Sequence, residues 1–556
     1  MTTERAPGET EDIKRRSRFL RGTLEISLED GTTGAVSYAD TKLTKFHGIY
    51  QQDDRDIRAE RAAQKLEPAY MFMIRVRIPG GRLTPAQWLA IDEICQAYGN
   101  GAQRLTTRQS IQLHGVLKRD LRKTIRGINE ALLTTIAACG DVNRTIACTS
   151  LPEQSALHAA VHEHVLAVNE HLKPKTAAYR EIWMGERPAD LPENEEPLYG
   201  AAYLPRKFKI GFAVPPQNDV DIYAQDLAFI AVQKRGRLAR FNVAVGGGLG
   251  ATHGDPKTYP RLATEIGSCL PEQVLAVSEH VVGIQRDYGD RHDRHHARFK
   301  YTVDDRGVDW IKQELERRLG FELGPAAPVR FVGSGDTLGW VRGKDGRRHL
   351  TLYVPAGRIK DSEAHRFRTG INEIAKIHKG EFRLTGNANL IVCGVLEEDV
   401  TAIDALVEAH GLDLYARLRP LRRNAMTCVA LPTCGLAMAE AERYMPDLLD
   451  KIEPLLEKHG LEDQEISLRM TGCPNGCARP YLAEIALVGK APGRYNLFLG
   501  GGLTGQRLNE LYAQNLGEQE ILSTLDELFA DFARDRLAGE PFGDFVRRRG
   551  VVGRAA

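Results

Sequence analysis

Four landmarks in this 556-residue chain occur twice, in the same order, and that repetition constrains the fold more than any single motif. RIPGGRL at Arg77 to Leu83 is matched by YVPAGRI at Tyr353 to Ile359. RLTTRQSIQLHGV from Arg104 is matched by RLTGNANLIVCGV from Arg383, and CTSLP from Cys148 by CVALP from Cys428. NVAVGGGLG from Asn242 is matched by NLFLGGGLT from Asn496. The spacings agree too: 25 and 44 residues from Pro79 to Arg104 to Cys148, against 28 and 45 from Pro355 to Arg383 to Cys428. One such match arises easily by chance. Four in order describe two copies of one α/β unit related by a pseudo-twofold axis.

The copies differ where chemistry should differ. The second holds two close cysteine pairs, Cys428 and Cys434 in TCVALPTCG, and Cys473 and Cys477 in TGCPNGCARP. In the first copy the position six residues after Cys148 is Gln154, and no CPNGC follows. That copy instead has LPRKFK, whose alternation about Phe208 puts Lys207 and Lys209 on one face of a strand. One half therefore holds a metal centre and the other supplies positive charge. Structural zinc knuckles favour C-x2–4-C, so C-x5-C with C-x3-C suits an iron–sulfur cluster better, though the residues alone leave zinc and unrelated buried thiols open. Gly476 can take a positive φ and Pro474 stiffens the approach. Arg422, Arg423, Arg469 and Arg479, close in sequence, are expected to offset the cluster's negative charge. The other five cysteines (Cys95, Cys139, Cys148, Cys269 and Cys393) lie mostly in apolar runs and read as core.

Composition excludes several classes. A formal net charge of +1 gives no argument for nucleic acid or a membrane surface. No run of ~18 apolar residues suggests a membrane span. The N-terminal MTTERAPGETEDIKRRSRFLRG lacks an apolar core, which argues against a secretory signal. Nine cysteines are too few for a disulfide scaffold and fit a reducing cytoplasm.

MFMIRVRIP alternates as a strand with Arg75 and Arg77 on one face, and SIQLHGVL as a strand with Gln112 and His114 on one side. LTPAQWLAIDEICQAYG is a helix capped at Thr84 and stopped at Gly99. HLTLYVPAG, RTGINEIAKIHKG and NLIVCGV repeat strand, helix and strand, while EAERYMPDLLDKIEPLLEKHG and LSTLDELFADFARDRLAG are helical. The architecture is α+β, antiparallel sheets with helices on them. The first ~70 residues show no strong period, and QQDDRDIRAERAAQKLEP reads as a solvated segment or extended arm. GGGLTG from Gly500 matches G-x-G-x-x-G, but the loop occurs in both copies and the chain after Gly505 reads as helix into helix, which opposes a dinucleotide site. Buried cations at Arg75, Arg77, Arg104, Arg108, Arg144, Lys207, Lys209 and Lys300 would need a polyanionic cofactor or an oxyanion as partner.

Taken together, TTRQSIQLHG, DVNRTIACTS, LPRKFK, CVALPTC and TGCPNGC resemble the sirohaem and 4Fe-4S sulfite/nitrite reductases. FHGIYQQDDRDIRAERAAQKLEP, EIAKIHKG, AMAEAERYMPDLL and VGKAPGRYNLFLGG are similar to the haemoprotein (beta) subunits of NADPH-dependent assimilatory sulfite reductases, and the likeness runs from about residue 18 to about residue 550. The resemblance implies an internally duplicated sulfite/nitrite reductase fold of mixed and antiparallel sheets. It divides the chain into an N-terminal arm at 1–70 that docks a flavoprotein, paired ferredoxin-like half-domains at 71–137 and 341–415, a first sirohaem-binding domain at 138–340 with the basic substrate side, and a second domain at 416–556 with the cysteines. It implies that Cys428, Cys434, Cys473 and Cys477 hold the cluster, with Cys477 bridging to the sirohaem iron. Arg75, Arg144, Lys207 and Lys209 would face sulfite. Arg104, Arg108, Gln112, His114, Lys300 and Asn475 would neighbour the sirohaem or its carboxylates. The pattern departs at Thr107, where relatives carry another polar residue, with no mechanistic cost expected.

The implied activity is six-electron reduction of sulfite to sulfide in sulfate assimilation and cysteine biosynthesis. The chain shows no flavin or nicotinamide motif of its own, so electrons come from a flavoprotein (alpha) subunit in a hetero-oligomer. A ferredoxin-dependent sulfite or nitrite reductase is the same-class rival, and a non-catalytic metal-binding scaffold built on the four cysteines is the different-class one.

Overall fold

The computed structural model describes residues 8–150 and 155–553. Residues 1–7 of the arm, residues 151 and 152 of CTSLP, Gln154, and residues 554–556 of the tail lie outside the described residues.

The duplication appears as two pairs of matching five-stranded sheets. One sheet of the first pair runs Ile49–Asp53, Tyr70–Arg75, Ile111–Val116, Gln103–Leu105 and Arg358–Ile359, antiparallel throughout. Its counterpart runs Gly339–Arg342, Arg348–Leu352, Leu390–Val395, Glu381–Leu384 and Arg82–Leu83. Each copy lends its two-residue strand to the other copy's sheet, so Arg358 pairs with Arg104 while Arg82 pairs with Arg383. This reciprocal exchange ties the halves together and places the repeated arginines at one seam.

The second pair of sheets is mixed. Ala147–Cys148, Ile210–Ala213 and Leu227–Lys234 are parallel, followed by antiparallel Arg237–Val245 and Thr264–Cys269. Ala425–Thr427, Leu468–Thr471 and Ile485–Ala491 repeat the parallel part, and Arg494–Leu499 and Glu510–Leu516 the antiparallel part. These are the mixed sheets that the resemblance implies, whereas residue patterning suggested antiparallel ones. Every residue of Ile210–Ala213 and Leu468–Thr471 is buried, so these strands carry no alternation from which a direction could be read.

The helix Pro85–Tyr98 begins at Thr84 in a reciprocal capping box with Gln87, as its spacing predicts. The glycine loops are corrected in one respect: after Gly505 the chain enters the strand Glu510–Leu516 and only then the helix Glu518–Asp535. The loop thus has no helix N-terminus to present to a pyrophosphate. Its glycines serve packing, since a Cβ on Gly247 would lie 2.3 Å from the Tyr223 carbonyl oxygen and one on Gly501 2.2 Å from that of Ala483.

The N-terminal segment is no detached arm. Leu20, Leu24, Leu43, Phe46 and Ile49 are in the main core, and Ile49–Asp53 is the edge strand of the first sheet. Lys14 is fully buried, donates to the Leu204 carbonyl at 2.7 Å, and stands 3.6 Å from Asp141, which also takes Arg294 at 2.8 Å. The segment reads as aperiodic because its helices are only four to eight residues long. The solvated reading holds for Arg58–Ala63, a helix with no buried residue.

His47 is the polar pin of this packing. Its Nδ1 accepts from the Trp183 indole at 3.0 Å and its Nε2 faces the Leu20 carbonyl at 3.1 Å. Burial pushes its pKa down to about 4. Protonation therefore favours the unfolded chain, and the stability is whole above ~6.5 and lost as pH falls toward 4. At pH 5 the loss from His47 is about 2 kcal/mol. Melting temperatures measured from pH 7 to 5 should fall, and fall less steeply in His47→Gln; equal slopes would reject this role for His47.

Candidate active site

The four cysteines lie on two loops that leave neighbouring parallel strands. Cys428 follows Ala425–Thr427, and Cys473 follows Leu468–Thr471. The loops are stitched together by Met438 N–H to Gly472 O at 2.7 Å and by Gly472 N–H to Cys428 Sγ at 3.3 Å. Gly476 takes φ +67°, as expected, and turns the chain so that Cys477 is exposed while Cys473 is buried and Cys428 and Cys434 are half-buried. Burial pushes the thiols of Cys428, Cys434 and Cys473 up, Cys473 to about 12, and the proximity of Cys477 is the next cause in all three. The four sulfurs thus form one electrostatic set. Among the described residues no three His, Cys, Asp or Glu side chains converge closely enough to hold a single metal ion. A tetrahedral zinc with ~2.3 Å bonds would need such convergence, whereas a cluster spaces its thiolates more widely.

Cys477 faces a second set as well. It is among the charged neighbours of Arg75, Lys207 and Lys209, three residues of the other half. Its carbonyl accepts from the Thr107 hydroxyl at 3.0 Å, which places Thr107 directly on this loop.

The basic set is assembled by pairing two first-half segments. Arg144 N–H donates to Phe208 O at 2.9 Å and Phe208 N–H to Val142 O at 3.1 Å, which brings Arg144 beside Lys207 and Lys209. Phe208 is fully buried, as the alternation predicts, although the continuous strand starts only at Ile210. Arg144 Nε is held by Ala138 O at 2.8 Å and Arg75 Nη1 by Cys139 Sγ at 3.1 Å. Arg77, expected beside Arg75, turns instead into the core, where it binds Asn169, Ala137 O and Asn143 O. Burial pushes Lys209 down to about 7, with Arg298 and Arg108 adding repulsion, and drives Lys207 lower than a free lysine for the same first reason.

Buried polar atoms aimed between the sets test whether an anionic, hydrogen-bonding group fits. Gln112 Oε1, Arg75 Nε and both ring nitrogens of His114 are buried without a partner. Burial, then Arg358, Arg104 and Arg75, holds His114 well below its usual pKa, so its ring is neutral. Leaving such atoms unpaired costs ~1–3 kcal/mol each, and a group bearing carboxylates would accept from Arg75 Nε and from the N–H of the neutral His114 ring. The residues present fit a haem-type polycarboxylate beside a thiolate-held cluster.

Three expected neighbours of that group are engaged with protein acceptors. Arg104 binds Glu442 at 2.8 Å and Thr427 O at 3.0 Å, bracing the strand before Cys428. Arg108 donates to Thr145 O and Ile210 O at 2.6 and 2.7 Å. Lys300 binds Gly250 O at 2.7 Å and the carbonyls of Gly248 and Tyr259, fixing the glycine loop against the Asn475 turn, where Ala251 N–H meets Pro474 O at 3.0 Å. The arginines expected to offset the cluster are also committed: Arg422 to Asp450 and Glu453, Arg423 to Glu465, and Arg469 and Arg479 to Asp221. The cations beside the thiols are Arg104 at Cys428, Arg55 at Cys434 and Lys207 at Cys473. Arg55 was hidden in the solvated-looking stretch, yet it donates to Cys434 O at 3.0 Å and Ala437 O at 2.6 Å.

Comparison with known proteins gives the same picture. The sulfite reductase (NADPH) hemoprotein beta-component of Oceanobacillus iheyensis is 58% identical over 545 residues, 98% of this chain and 94% of that relative. The chain belongs to the sulfite reductase hemoprotein beta-component family. The family member from Myxococcus xanthus is 57% identical over 544 residues, covering 98% and 97%. The Nitrite and sulphite reductase 4Fe-4S domain matches residues 166–323, and the Nitrite/Sulfite reductase ferredoxin-like half domain matches 64–131 and 341–410. The fold of this family member is shared with the structure of the Mycobacterium tuberculosis NirA protein, with a TM-score of 0.80 and 23% identity over 98% of this chain and 97% of that one. No helix among the described residues is long and apolar enough to cross a membrane.

Proposed function

We propose that this chain is the catalytic haemoprotein subunit of an assimilatory sulfite reductase, taking sulfite to sulfide with six electrons. The observation that carries this reading is the position of Cys477, a charged neighbour of the other three thiols and also of Arg75, Lys207 and Lys209. Cys428, Cys434, Cys473 and Cys477 would hold a 4Fe-4S cluster. Gln112, His114 and the backbone around Asn475 would meet the sirohaem, and Cys477 would join the two groups. When bound, that pair stores electrons and delivers them to sulfur. Arg104, Arg108 and Lys300 brace the loops around it.

Arg75, Arg144, Lys207 and Lys209 bind and orient sulfite, whose charge needs preorganised cations in a site of low dielectric. Lys209, pushed toward neutrality, can hold a proton and give it up near pH 7, as loss of each sulfite oxygen as water requires. Electrons would come from a flavoprotein partner in the cytoplasm, since the relatives carry NADPH and beta-component in their names. The segment at 1–70, the ferredoxin-like halves at 71–137 and 341–415, the basic domain at 138–340 and the cysteine domain at 416–556 divide the chain accordingly.

An absorption spectrum of the purified protein tests the reading. A Soret band with a red-shifted visible band is expected, together with about four cluster irons and one haem iron per chain. A colourless zinc protein would overturn it.

A further inference from the structure

A cavity lies outside the site described above. It measures about 620 Å³ and is lined, among the described residues, by Arg82, Lys344, Arg347, Lys379 and Arg383 with two carboxylates, Asp345 and Glu381. The duplication shows what it is. Arg383 is the counterpart of Arg104, Arg82 of Arg358, and Cys393 of His114, by the landmark pairs that begin at Arg104 and Arg77. Beside the cysteine loops, Arg104 of the first copy and Arg358 of the second bracket Glu442 at 2.8 and 2.7 Å. In the cavity, Arg383 and Arg82 bracket Glu381 at 2.6 and 2.7 Å. Through Arg82, Arg383 and Cys393 the cavity is the pseudo-twofold image of one wall of the cofactor site, although the counterpart of Glu442 is His162, 3.1 Å from Arg82, and not Glu381.

Its charge differs from that wall in a way that selects a ligand. Glu381 is already shared between two arginines and Lys379 stands 3.5 Å from Asp399, which leaves Lys344 and Arg347 against Asp345 among the described lining side chains. Ser155, Ala156 and Ala159 also line the cavity. They form the cap and first turn of the 16-residue helix Ala156–His171, whose N-terminus carries partial positive charge. Cavity, cation excess and helix terminus converge on one place.

We propose that this pocket binds a small doubly charged oxyanion of the sulfate and phosphate type. The inference rests on the duplication and holds whether or not the redox reading does.

Phosphate titrated into the cofactor-loaded protein at low ionic strength, followed by calorimetry, is the test. The basic set near Cys477 can also take phosphate, so three proteins are compared: the parent, Arg144→Ala with Lys207→Ala, and Lys344→Ala with Arg347→Ala. A saturable phosphate site is expected to survive the first pair of substitutions and to weaken at least tenfold in the second, with sulfite turnover in the second unchanged. Lys344→Glu, a single exposed change, should weaken it in the same direction and guards against a folding defect. Absence of saturable binding in the Arg144→Ala, Lys207→Ala protein, or equal affinity with and without Lys344 and Arg347, would overturn the proposal.

Discussion

Cys477→Ser is expected to abolish sulfite turnover while leaving the fold intact. The residue is exposed, and its backbone is held by the Gly476 turn and by the Thr107 hydroxyl, neither of which the substitution touches. What it removes is the soft thiolate that belongs to both the cysteine set and the basic set. A serine oxygen is a poor replacement toward iron. Loss of an outer partner of a metal ligand costs ~10–100-fold, and loss of the ligand itself should exceed that, so turnover is expected to fall by more than ~100-fold. Thermal unfolding should show a folded domain, and the absorption bands should shift as the two chromophores uncouple. Full activity with an unshifted spectrum would remove Cys477 from its bridging role.

Lys207→Ala is expected to separate cofactor content from catalysis. Lys207 stands on a segment anchored by buried Phe208 and by the pairing with residues 142–144, so the truncation leaves the loop in place. Its side chain is one of three basic groups, with Arg75 and Lys209, that have Cys477 as a charged neighbour. Removing one preorganised charge from such a set typically costs ~10²–10³ in turnover. The iron content and spectrum should be nearly those of the parent, and Arg144→Ala should behave alike. Arg77→Ala should differ from both, because Arg77 is a buried clamp on Ala137 and Asn143: stability should drop first and activity with it. If Lys207→Ala lost cofactor and activity in parallel, the residue would be structural instead.

Local pattern carried much of this account. The repeated landmarks foretold matching sheets, Thr84 and Gly99 foretold the limits of a helix, and the alternation about Phe208 foretold two lysines on one face. Spatial pairing was less legible. The four arginines near the cysteines in sequence answer carboxylates elsewhere, because adjacency along a chain says little about where a long side chain finds its partner. Arg55 reaches the cysteine loop from 379 positions away, out of a stretch whose charges suggested solvent. The short N-terminal helices carry too few turns for a period, and the buried parallel strands have no polar face to mark their direction. Thr107 looked inconsequential until its hydroxyl was found on the Cys477 carbonyl.

The central claim is that the thiol set and the basic set form one site for reducing sulfite. It is tested most directly by giving the purified, cofactor-loaded chain a chemical reductant and measuring sulfide formed from sulfite beside ammonia formed from nitrite. The account predicts stoichiometric sulfide, six electrons consumed for each, and loss of that sulfide in Lys207→Ala. Ammonia made far faster than sulfide, or sulfide formation indifferent to Lys207, would contradict it.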